Sequence, residues 1–134
     1  MKIGFTGSRH GMTDIQRVAL RSLLDGMSGE FHHGDCLGAD YQAATIAKSM
    51  GFRIVSHPPA DQTLRAFYPS DEERPPKPYL ERNRAIVDET EMLIGTPKEE
   101  DEVLRSGTWA TLRYAKKLDR PWWRITPDGF PVWG

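Results

Sequence analysis

The stretch Lys2-Ile3-Gly4-Phe5-Thr6-Gly7-Ser8-Arg9 decides how the rest of the chain is read. It is short and apolar at its centre, and Gly7-Ser8 closes it. That is the pattern of a buried strand running into a tight turn. Just beyond, Thr13 and Gln16 have the spacing of a capping box, and Leu20, Leu23, Leu24 and Met27 recur at i, i+3, i+4 and i+7. A buried strand followed at once by an amphipathic helix predicts the opening of a β-α-β unit.

The same alternation continues outward. Glu30 to His33 reads as a second strand stopped by Gly34, and Ala43, Ile46, Ala47 and Met50 carry a second helical stripe ended by Gly51. Phe52 to Ser56 makes a third strand. Residues 58–78 hold prolines at 58, 59, 69, 75, 76 and 78, which excludes a regular helix or a central strand and predicts a long loop, either a lid or a tolerated surface insertion. Helical signals resume over Tyr79 to Glu89. Met92 to Ile94 is a fourth strand closed by Gly95, a further helix begins near Ser106-Gly107-Thr108, and Trp122 to Ile125 is the last strand before a short aromatic tail, 126–134.

This order predicts an α/β fold over 1–134 as one domain: a Rossmann-like parallel sheet of about five strands, in the order 3-2-1-4-5, with helices on both faces. In such a sheet a ligand lies outside the carboxyl ends of the strands, where the order reverses, here between the first and fourth strands.

Composition narrows the class. The chain has 134 residues and a formal net charge of -1, with 38% hydrophobic and 28% charged residues, which fits one packed core and makes nucleic acid an unlikely partner. Its one cysteine, Cys36, excludes an intrachain disulfide framework. With no apolar run long enough to span a bilayer, the expectation is a cytoplasmic protein with no membrane partner.

Three strand-to-helix junctions place small, polar residues where an anion would sit. Thr6-Gly7-Ser8-Arg9 offers close backbone approach, hydroxyl and amide donors and a charge. Gly34-Asp35-Cys36-Leu37-Gly38-Ala39-Asp40 is a glycine turn opening a helix. Ser106-Gly107-Thr108 sets free N–H groups and the helix dipole at the same sheet edge. In Arg82-Asn83-Arg84, successive side chains diverge by about 100°, so one or two of the three can face the crevice. His32 and His33 are metal-ligand types, but strand alternation sends them to opposite faces and no four-ligand spacing follows, so no metal is expected. Trp122 and Trp123 read as sheet-face residues rather than a base-stacking platform.

Taken together, GSR after the first strand, HGDCLGAD after the second, RNR before the fourth and SGTWAT after it resemble the SLOG superfamily. That group joins the DNA-processing protein A fold with the LONELY GUY phosphoribohydrolases and the YspA-like proteins. The YspA-like, DUF2493-type branch is the nearest in pattern, and the likeness runs from Lys2 to about Ile125. The resemblance implies binding of a nucleotide or nucleotide-derived phosphorylated ligand, as sensor or carrier. It implies Gly7, Ser8, Arg9, Gly34, Asp35, Gly38, Asp40, Arg82, Asn83, Gly107 and Thr108 as binding residues, with Thr6, Cys36 and Ser106 beside them in the same junctions.

LONELY GUY enzymes carry PGGxGTxxE at the last junction. The matching stretch here, Ser106 to Tyr114, contains no glutamate, and Tyr114 is expected at its place. The catalytic residues are therefore unassigned and no cofactor is implied. The alternatives are a nucleotide N-glycosidase or phosphohydrolase using Asp35, Asp40 or Glu81, and a single-stranded DNA binder. A homodimer is an open alternative to a monomer.

Overall fold

The computed structural model describes residues 1–134. Seven strands form one sheet: β1 (Lys2–Gly7), β2 (Glu30–His33), β3 (Arg53–Ser56), β4 (Glu72–Glu73), β5 (Met92–Thr96), β6 (Trp122–Ile125) and β7 (Pro131–Trp133). Four helices connect them: α1 (Asp14–Leu24), α2 (Ala39–Ser49), α3 (Tyr79–Asp88) and α4 (Gly107–Lys117). The strand order is β4-β3-β2-β1-β5-β6-β7, parallel throughout except for β7 against β6.

The fold is thus the expected Rossmann-like one, and the five expected strands keep their order. Seven strands rather than five is the correction. β4 is two residues inside the proline-rich segment, too short for any periodicity to register, and β7 lies in the aromatic tail and is headed by Pro131. No helix is long and apolar enough to cross a membrane.

The apolar stripes explain the layering. Leu20 and Leu24 of α1 and Ala43 and Ala47 of α2 meet Ile3, Phe5, Phe31, Ile54 and Ile94 in the larger core cluster. Ile86 and Val87 of α3 and Leu112 and Ala115 of α4 meet Leu93 in a smaller one on the opposite face.

The capping box forms as the sequence predicts. The Thr13 hydroxyl accepts from the Gln16 amide at 3.1 Å and Gln16 Oε1 accepts from the Thr13 amide at 3.0 Å. Gln16 does more than cap. Its buried Nε2 donates to the carbonyls of Pro97 at 2.9 Å and Ile125 at 3.0 Å, tying the ends of β5 and β6 to α1.

Candidate functional site

At the reversal between β1 and β5 a cavity of about 480 Å³ opens along the carboxyl edge of the sheet. Twelve of the expected residues line it: Thr6, Gly7, Ser8, Arg9, Gly34, Cys36, Asp40, Arg82, Asn83, Ser106, Gly107 and Thr108. Asp35 and Gly38 do not. Gly38 adopts φ +89° and its Cα faces the Arg9 backbone, where a Cβ would stand 2.3 Å from the Arg9 carbonyl oxygen. Its role is to let two turns pass. Asp35 is fully buried, with Oδ2 accepting from Arg65 Nε at 2.7 Å and Oδ1 from the Tyr68 amide at 2.8 Å.

The 58–78 loop makes further contacts of this kind. Arg65 also pairs with Glu73, the Ala66 amide donates to the Asp35 carbonyl at 2.8 Å, and the Leu37 amide donates to the Leu64 carbonyl at 3.0 Å. Asp71 bonds both the amide and the carbonyl of Ile54. The segment is strapped to the sheet by polar bonds that a proline count cannot reveal. Of its residues only Leu64 reaches the cavity.

Arg82 differs from expectation as well. It faces the cavity, yet the residue is 5% exposed and its guanidinium is largely committed: to the Gly34 carbonyl, to the His57 carbonyl at 3.3 Å and to Asn83 Oδ1 at 2.8 Å. A Cβ on Gly34 would meet that guanidinium at 2.7 Å, so Gly34 is required by the arginine's approach. Asn83 keeps its amide nitrogen toward Gly107, while Arg84 turns away and lies over the Tyr114 ring at 5.4 Å. The divergence along the helix is the one expected.

Asp40 sits beside this arginine with Oδ2 accepting from the Cys36 amide at 3.2 Å. Burial pushes its carboxyl up to about 6, against the opposing pull of the Arg82 charge and the Cys36 hydrogen bond. Of the three candidate acids, Asp35, Asp40 and Glu81, only Asp40 lines the cavity.

The positive charge comes largely from residues that sequence reasoning passed over. Lys98 and Arg105 join Arg9 at the lining, and none of the three is in an ion pair. Lys98 and Arg105 flank the acidic run Glu99 to Glu102 before α4, and the neighbouring acids masked them. Two of those acids are tied up locally: Glu99 accepts from Trp109 Nε1 at 3.0 Å and Glu102 from Arg113 at 2.7 Å.

At the head of α4 the Ser106 hydroxyl accepts from the Trp109 amide at 3.3 Å, and the amides of Gly107 and Thr108 have no acceptor within the protein. Gly107 is also the one glycine at the site that the fold does not demand. A Cβ there would find only Asn83 Nδ2, at 3.9 Å.

The motif register corrects one further expectation. Three residues past Thr108 stands Thr111, not Tyr114. Thr111 is buried with its hydroxyl donated to the Gly107 carbonyl at 2.7 Å, and Tyr114 lies outside the lining, donating to Asp88 at 2.8 Å. Neither supplies a carboxylate.

No family model matches the sequence, and no curated protein does. Among solved structures, the molybdenum cofactor binding protein from the phototrophic bacterium Rippkaea orientalis superposes with a TM-score of 0.71 at 17% identity, covering 93% of this chain and 76% of that one. The X-ray structure of TM1055, a structural genomics target, superposes with a TM-score of 0.66 at 12% identity, covering 90% and 71%. At these identities the likeness establishes the fold.

Proposed function

We propose that the protein is a SLOG-type Rossmannoid whose cavity binds a nucleotide or nucleotide-derived phosphorylated ligand, as sensor or carrier. The observation that carries this reading is the head of α4. The amides of Gly107, a glycine that packing does not require, and of Thr108 have no protein acceptors and open into a cavity where Arg9, Lys98 and Arg105 stand unpaired. Free N–H groups at a helix N-terminus together with unpaired cations suit a phosphate.

Leu64, Tyr79, Leu80 and Val103 give the same cavity an apolar side suited to a flat heterocycle. That the Rippkaea protein is described as binding a molybdenum cofactor supports a small-molecule ligand on this fold.

Thermal unfolding against nucleoside phosphates, cyclic dinucleotides and ADP-ribose tests the reading. A ligand at about 100 times its dissociation constant adds about 2.7 kcal/mol, which for a chain of this length raises the melting temperature by about 10 °C. No shift with any member of that panel refutes it.

A second reading, a hydrolase of nucleotide N-glycosyl or phosphate bonds, is favoured by Asp40, a cavity carboxyl held at about 6. Release of free base or phosphate that disappears in Asp40→Asn is its signature. A single-stranded DNA partner would instead show retention on filters falling steeply with salt.

A further inference from the structure

Outside the cavity lining, His32 of β2, His57 just past β3 and Glu89 at the end of α3 come together, each offering one ligand atom within 4.8 Å of the others. Both imidazoles are buried and Glu89 is partly exposed. We propose that His57 and Glu89, with His32 holding the His57 ring, form a binding site for a divalent transition-metal ion of the zinc type.

The argument is a proton count. Each neutral imidazole carries one N–H. His32 Nε2 lies 2.8 Å from Glu30 Oε1, and a carboxylate can only accept, so the His32 proton is on Nε2 and its Nδ1 is a lone pair. That lone pair is 2.8 Å from His57 Nε2, which must therefore be the donor. His57 Nδ1 is left as a second lone pair, and it faces Glu89 Oε2 at 3.8 Å with no donor between them.

Two electron-pair donors thus confront each other across a gap that two metal bonds of about 2.0–2.2 Å can bridge. The other oxygen of Glu89 is held by Arg74 Nε at 2.9 Å, which fixes the carboxylate's orientation. No proton has to leave when the ion binds. Both rings already carry their hydrogen on Nε2: the His57 N–H stays on His32 Nδ1 and the His32 N–H on Glu30, a two-step outer support of the kind usual for a metal-bound histidine. One imidazole and one carboxylate leave the remaining positions for water.

The test is calorimetric titration of chelator-treated protein with Zn²⁺, with Co²⁺ visible absorption reporting the coordination geometry. One Zn²⁺ per chain is expected. Glu89→Gln and His57→Gln should each weaken uptake by at least about a hundredfold, and Glu30→Gln, which loosens only the outer support, by about tenfold. His10→Ala and Cys36→Ser should leave it unchanged.

His57 is buried deeply enough that its variant can fail to fold. Glu89, partly exposed, then decides alone, with circular dichroism confirming a wild-type fold. Absence of Zn²⁺ uptake by the wild type overturns the proposal. So does uptake that survives Glu89→Gln, or uptake that vanishes with His10 or Cys36.

Discussion

The turn after β2 and the junction before α4 look alike as sequence, each small, polar and marked by glycine, yet they have opposite fates. In the first, nearly every polar group is consumed by the protein: Asp35 by Arg65 and Tyr68, the Gly34 carbonyl by Arg82, the Cys36 amide by Asp40. In the second, Ser106 caps the helix and the next two amides are left without protein acceptors. The lesson is that glycine and hydroxyl content marks a junction without saying whether its donors are spent on the fold or kept for a ligand.

Four measurements press on this contrast. The largest effect belongs to Asp35→Ala, which strips the buried Arg65 side chain of its buried partner, leaving only the exposed Glu73, and puts alanine at φ +53°, where L side chains are strained. A loss of about 3–5 kcal/mol in denaturant unfolding is expected. A loss below about 1 kcal/mol would mean that the turn after β2 is not structural.

Next is Asp40, whose effect depends on pH. Its folded value of about 6 lies above the ordinary 3.8, so between those pH values the native state holds a proton the unfolded chain has released, and stability falls as pH rises through that window. The full penalty above pH 6 is up to about 3 kcal/mol at 1.36 kcal/mol per pKa unit. His33 and His57 act in the opposite sense. Burial holds each at about 3 against an ordinary 6.5, so stability is lost as pH falls from 6.5 toward 3. Asp40→Asn should therefore be more stable than wild type at pH 7 and should lose stability more steeply below pH 6, as read by melting temperature against pH.

Arg82→Ala comes third. It removes charge-assisted bonds to two carbonyls and should cost about 2 kcal/mol whether or not ligand is present. An unchanged melting temperature with lost binding would return Arg82 to the role of direct ligand contact.

Smallest in stability is Gly107→Ala. It should stay within about 0.5 kcal/mol of wild type, because its Cβ meets nothing closer than 3.9 Å. Its effect should appear instead in ligand titration, as weaker binding. Normal binding in that variant would remove the contrast between the two junctions.

The order of the five principal strands, the capping box and the divergence of Arg84 were all legible, because each follows from local spacing. What escaped was set by contacts between distant residues. Arg65 meets Asp35 from the far end of a proline-rich loop, and Arg82 is spent on the carbonyls of Gly34 and His57. The His32, His57 and Glu89 cluster spans three elements with no short-range spacing to betray it. Lys98 and Arg105 were present in the sequence but lay among acids whose partners only the folded chain supplies.

The two edges of the sheet bear on how copies of this protein meet. On either side of β7, Phe130 bonds to Thr126 and Gly134 to Trp122, with Val132 paired to Arg124 between them, so Pro131 and Trp133 turn their backbone outward, and proline has no N–H to offer there. At the other edge β4 is only two residues long, and both are glutamates. An incoming strand would find a missing donor on one side and a short, negatively charged rung on the other. Growth of the sheet by adding strands, the usual first step from a folded protein toward fibrils, is thus obstructed at both ends.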